Sequence, residues 1–72
     1  MLLVKREADI VAVVNERGAI SVRELAALFD VADMTIRRDL KKLETLSLLR
    51  RTHGGAVRVE APEDGAVRWQ RP

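Results

Sequence analysis

Seventy-two residues, 47% of them hydrophobic and 33% charged, suit one small globular domain rather than a disordered chain. The absence of cysteine and the presence of one histidine, His53, exclude a disulfide framework, a thiolate zinc site and a histidine metal cluster. The net charge of +2 is unevenly spread: residues 1–36 hold four basic and six acidic side chains (−2), residues 37–58 seven and two (+5), and residues 59–72 two and three (−1).

The first periodic stretch predicts a helix over about 3–16, with Ile10, Val13, Val14, Leu3 and the stem of Arg6 on its inner side. Gly18 just past Arg17 is a helix-stop signal. Val11, Val13 and Val14 are β-branched and form helix poorly, so packing must hold this element, and a strand is the alternative there. Ala19-Ile20 suits a very short extended piece. Ser21-Val22-Arg23-Glu24 reads as a capping box, opening a helix over about 22–29 with Val22, Leu25, Ala26 and Phe29 inward. Asp30-Val31-Ala32-Asp33 breaks the pattern, with Val31 pinned into the core. A third helix follows over about 33–46, beginning at Ala32 or Asp33. Two helices joined by so short a turn form a helix-turn-helix, whose second helix enters the DNA major groove.

In that third helix Ile36, Leu40 and Leu43 share an apolar stripe. Arg38, Lys41 and Lys42 fall roughly opposite, with Arg37 on the flank. Arg38 and Lys42, four residues apart, repel by a few tenths of a kcal/mol, about what a like-charge pair costs on a bare helix. Packing gives nothing back for that cost, whereas a polyanion would. Downstream, Leu48-Leu49-Arg50-Arg51-Thr52 and Ala56-Val57-Arg58-Val59 flank His53-Gly54-Gly55 and predict a β-hairpin over about 48–59. The fold expected is mostly α: three helices and a two-stranded hairpin. The domain is expected to end near residue 58, with 59–72 a linker and tail carrying Trp69.

These residues resemble the DNA-binding domain of the DeoR family of bacterial repressors. The resemblance covers about residues 6–57. It rests on Arg6, Ile10 and Val14; on Ser21-Val22-x-x-Leu25-Ala26; on Thr35-Ile36-Arg37-Arg38-Asp39-Leu40; and on Leu49-x-Arg51-x-His53-Gly54-Gly55-Ala56. It implies a winged helix-turn-helix in which the hairpin is the wing. It further implies a transcriptional regulator, usually a repressor of sugar or sugar-phosphate catabolism genes. Family members carry a carboxy-terminal domain that binds a phosphorylated sugar and drives oligomerisation. That domain would begin where this chain stops, so an effector and a homo-oligomer are expected only of a longer form. Two departures stand out. The family often has Ser at Ala32, so capping of the third helix passes to Asp33. It often has Gly at Ser47, which tolerates a left-handed backbone less well.

The expected partner is double-stranded operator DNA. Arg38 and Lys41 are the expected base readers, since both pair with guanine O6 and N7. Arg37 and Lys42 are expected on phosphates. Met34 either covers a thymine methyl or is simply exposed; Thr35 either bonds phosphate or serves its own helix. Asp39 is read as structural, orienting a neighbouring Arg or Lys or bonding the hairpin. Arg50, Arg51 and Arg58 supply charge to the wing. His53, Gly54 and Gly55 form a turn needing glycine for φ > 0 and let backbone N–H groups approach a phosphate. About five phosphate contacts per domain would give log affinity a slope of about −4 to −5 against log salt. No catalytic residue, cofactor or metal is expected, because His53 has neither a nucleophile nor a metal partner. Nothing in the sequence is long and apolar enough to span a membrane, and Met1-Leu2-Leu3-Val4 is too short for a signal-peptide core; a cytoplasmic setting is expected. A protein-interaction module would place apolar or aromatic residues on the third helix, and a single-stranded RNA binder would use aromatic stacking. The chain has only Phe29 and Trp69.

Overall fold

The computed structural model describes residues 3–59. In chain order they form α1 (Lys5–Arg17), β1 (Ala19–Ser21), α2 (Val22–Phe29), α3 (Asp33–Thr45), β2 (Arg50–Arg51) and β3 (Gly55–Val57). The expected linker and tail, Trp69 included, lie outside the described residues.

α1 starts two residues later than its apolar pattern suggests. Val4 is extended (φ −69°, ψ 158°), and its N–H donates to Glu7 Oε1 at 3.2 Å, which satisfies one of the donors a helix start leaves open. The helix stops where Gly18 turns to φ 84° and its N–H closes on the Val14 carbonyl at 2.8 Å. The strand alternative is thereby settled as helix. The Ser21 capping box is present: Glu24 N–H donates to Ser21 Oγ at 3.0 Å, and Ser21 N–H reaches Glu24 Oε1 at 3.5 Å. Asp30 ends α2 in a left-handed conformation (φ 56°, ψ 50°), which a short polar side chain tolerates better than most.

Both departures around α3 have structural consequences. Ala32 is the N-cap and provides no side-chain cap. Asp33, expected to take over the capping, does not supply that hydrogen bond; it stands inside the first turn, where its charge favours the helix dipole. At the other end the chain makes a Schellman closure. Ser47 N–H donates to the Glu44 carbonyl at 2.9 Å and Leu48 N–H to the Leu43 carbonyl at 3.0 Å. The residue forced into the left-handed position is Ser47, at φ 63°, where the family often has Gly.

The sheet goes beyond a two-stranded wing. β3 is central, in the order β1-β3-β2, with Ile20 opposite Ala56 and Arg51 also opposite Ala56 on the other side. The short extended piece at Ala19-Ile20 is thus a third, antiparallel strand that ties the wing to the α1–α2 connection. Gly55 makes this possible. A Cβ there would fall on the Ile20 carbonyl oxygen and 2.7 Å from Ser21 Cα. Neither Gly54 nor Gly55 has positive φ. The expected reason for these glycines was therefore wrong for the turn: Gly55 is needed for close strand approach, and the Gly54 carbonyl serves as acceptor for Val22 N–H at 2.8 Å.

The core is Ile10 and Val14 of α1, Val22, Leu25 and Ala26 of α2, and Ile36, Leu40 and Leu43 of α3, closed by Ile20, Leu49 and Ala56 from the sheet side. Val13, Phe29 and Val31 pack against it half-buried.

Candidate nucleic-acid interface

α3 lies against both α2 and α1 by its apolar stripe, so its remaining surface splits into a margin facing α1, a margin facing the wing, and an outer face. Met34, Arg37, Arg38 and Lys41 stand at i, i+3, i+4 and i+7 and share the outer face. All four are exposed, Met34 by 65%. Among the described residues, Arg37, Arg38 and Lys41 form no ion pair.

The α1 margin is different. Asp39 is 6% exposed and takes the Arg6 guanidinium on both oxygens, from Nε at 2.6 Å and Nη2 at 3.2 Å. The hydrogen bond to Asp39, and then its charge, raise the Arg6 pKa further. Lys42 Nζ stands 3.2 Å from both oxygens of Glu7, itself 5% exposed. Asp39 is structural, as expected, but its partner is on α1 rather than a neighbouring residue or the hairpin. Lys42 needs a correction. Packing does offset its repulsion with Arg38, through Glu7, and the Lys42 side chain stays 46% exposed beside that contact. The signal for this was present in the order of signs: Arg6-Glu7 on one helix meets Asp39-x-x-Lys42 on the other in complementary register. Glu7 was not singled out from the sequence.

The wing margin is also organised by an acid. Glu44 accepts Arg51 N–H on Oε2 at 3.0 Å and Arg51 Nε on Oε1 at 2.9 Å. The backbone N–H of Arg51, then its guanidinium, hold the Glu44 carboxyl below the usual carboxylate range. Arg58 points elsewhere: its Nη1 donates to the Asn15 carbonyl at 3.2 Å near the end of α1, and its N–H to the Gly18 carbonyl at 2.9 Å. The three wing arginines are therefore not equivalent. Arg50 is exposed without an ion pair among the described residues, Arg51 is held by Glu44, and Arg58 is turned toward α1.

A cleft of about 130 Å3 separates α3 from the wing, lined by Arg37, Leu40, Arg51, Thr52 and His53. Val22, the first residue of α2, also reaches it. Arg23, next in sequence, is exposed. Thr35 is half-buried and provides no cap. His53 and Gly54 are exposed at the hairpin tip, closed by Thr52 N–H donating to the Gly55 carbonyl at 2.9 Å, whereas Gly55 is buried. Among the described residues no group of acidic or histidine side chains is arranged to hold a metal ion, and no helix is long and apolar enough to cross a membrane.

The chain is similar in sequence to known proteins. The chain is 49% identical over 63 residues to the HTH-type transcriptional regulator YulB of Bacillus subtilis, covering 88% of this chain and 24% of that protein. It is 48% identical over 52 residues to the lactose phosphotransferase system repressor of Streptococcus mutans, 72% of this chain and 21% of that protein. Against the L-fucose operon activator of Haemophilus influenzae it is 54% identical over 52 residues, 72% of this chain and 21% of that protein. The chain thus spans between a fifth and a quarter of the length of these relatives. No solved structure matches it. The family of DeoR-like helix-turn-helix domains matches residues 6–61, and the chain belongs to that family.

Proposed function

We propose that this chain is the sequence-specific DNA-binding domain of a transcriptional regulator, acting in the cytoplasm as a repressor of sugar or sugar-phosphate catabolism genes. The observation that carries the reading is the division of charge on α3. Toward α1, Lys42 is paired with Glu7, and toward the wing α3 presents the acid Glu44, while among the described residues Arg37, Arg38 and Lys41 form no ion pair. A helix of about 10–12 Å diameter fits a major groove of about 12 Å. Met34 to Lys41 covers about 10 Å of helix axis, or roughly three base pairs.

In this reading Arg38 and Lys41 meet base edges and Met34 lies on a thymine methyl. Arg37, Arg50, Arg51 and Arg23 hold phosphates, with His53 and Gly54 at the wing tip close to the backbone. Lys42 and Arg58 are left out, because their partners are inside the domain. The gene class is supported by relatives named for the lactose phosphotransferase system, the glycerol-3-phosphate regulon and the L-fucose operon. The last of these is named an activator, so the domain supplies the address, and where the operator lies relative to polymerase sets the sign. One helix reading three base pairs is weak, so two domains on half-sites a helical turn apart are required. The proposal assigns their pairing, and the response to a phosphorylated sugar, to regions beyond this chain.

The test is to select duplex DNA from a random-sequence pool with the immobilised domain and measure affinity against salt. Four phosphate contacts predict a slope of about −3 to −4, and a slope near zero sinks the reading. Arg38→Ala is expected to cost about 1–3 kcal/mol on the selected duplex and much less on mixed-sequence DNA. Equal losses on both would remove Arg38 from base reading.

A further inference from the structure

The wing and the recognition helix are joined through one side chain. Glu44, in the last turn of α3, uses one oxygen for the Arg51 backbone N–H and the other for Arg51 Nε. β2 is an edge strand of the sheet, so this N–H would otherwise face water or another chain. Arg51 is also the last strand residue before the tip formed by Thr52, His53 and Gly54. The contact therefore anchors the wing immediately beneath its tip. Glu44 does not occupy the two Nη groups of Arg51, and that side chain lines the cleft together with Arg37, Thr52 and His53.

By charge alone Glu44 is a liability at such a surface, since a carboxylate repels an approaching phosphate. Its geometry argues the opposite role. A hairpin with strands of two and three residues is marginal by itself, and ordering it at the moment of binding would subtract from affinity. We propose that Glu44 is a positioning residue for DNA binding: by gripping Arg51 at backbone and side chain, it keeps the wing registered on α3 so that the cleft accepts one DNA phosphate between Arg37 and Arg51. This rests on the DNA-binding reading above and adds to it a residue that acts through another rather than by touching DNA.

The test uses the full 72-residue chain and a mixed-sequence DNA duplex, titrated by fluorescence anisotropy over a range of sodium chloride. Glu44→Ala is expected to bind roughly three- to tenfold more weakly, with a salt slope smaller in magnitude by about 1, although it carries one negative charge fewer. In the free protein, amide exchange at Thr52 to Gly54 is expected to accelerate. Glu44→Gln keeps an acceptor for Arg51 N–H, guards against loss of folding in the alanine variant, and is expected to recover part of the affinity. Arg51→Ala added to Glu44→Ala is expected to cost little more, because the two act as one unit. Tighter or unchanged binding by a folded Glu44→Ala, or losses that simply add, overturn the proposal. A wild-type chain with no salt-dependent binding would overturn the DNA-binding reading and this proposal with it, and that failure is recognised by appearing in the unsubstituted protein.

Discussion

On the α1 side of α3, Asp39 and Lys42 are each met by a partner of opposite charge, Arg6 and Glu7. On the outer side, a third of a turn away, Arg37, Arg38 and Lys41 have no such partner among the described residues. The two surfaces draw on one side-chain repertoire within six residues of one helix, 37–42. What separates them is whether another element packs close enough to present an acid. A count of cations over residues 37–58 therefore overstates how many lack a partner: the seven basic residues there include Lys42 and Arg51, each paired with a carboxylate, and Arg58, bonded to the Asn15 carbonyl. Charge inside the frame contributes to stability and orientation; charge on the face is left for a ligand.

This contrast can be broken by substitution, because frame residues should change folding and face residues only binding. Gly55→Ala is expected to have the largest effect. Its Cβ would strike the Ile20 carbonyl oxygen and Ser21 Cα, both backbone atoms that cannot rotate away, so a destabilisation of about 3 kcal/mol or more follows. A thermal melt indistinguishable from wild type would mean that β1 and β3 are not in close contact. Asp39→Ala comes next. It leaves the Arg6 guanidinium without its carboxylate on the α1–α3 seam, and the melting temperature is expected to fall by roughly 10 °C. An unchanged melting temperature would move Asp39 from the frame to the face.

Ser47→Gly sharpens the comparison in the opposite direction. At φ 63° glycine removes the Cβ penalty and adds some chain entropy cost, for a net gain of about 0.5–1 kcal/mol in chemical denaturation. DNA binding should be unaffected. Arg38→Ala should shift the melting temperature least, within about 3 °C, while it weakens binding to the selected duplex. A large thermal effect there would show that the outer face also holds the fold together.

Several features were legible in the sequence because their causes are local. The Ser21–Glu24 box and the glycine stop at Gly18 each depend on residues within a turn of one another, while the left-handed position at Ser47 was legible only through the family resemblance. The apolar stripe of Ile36, Leu40 and Leu43 depends only on helical period. The helix-turn-helix and its cationic outer helix follow from these. Other features were misread where the deciding neighbour is distant in the chain. Glu7 and Lys42 are 35 residues apart, and nothing near Lys42 announces that its charge is already matched. Gly55 read as a turn glycine because it stands in a Gly-Gly pair, yet its requirement comes from Ile20 and Ser21, over 30 residues earlier.

By itself the sequence determined the three helices, the hairpin and the cationic character of α3, since hydrophobic period, caps and glycine punctuation act over a few residues. Only the tertiary structure decided which cations remain available. It also made the wing part of a three-stranded sheet and fastened it to α3 through Glu44. Ion pairing and close backbone approach depend on distances of a few ångströms between segments that the chain brings together only when it folds.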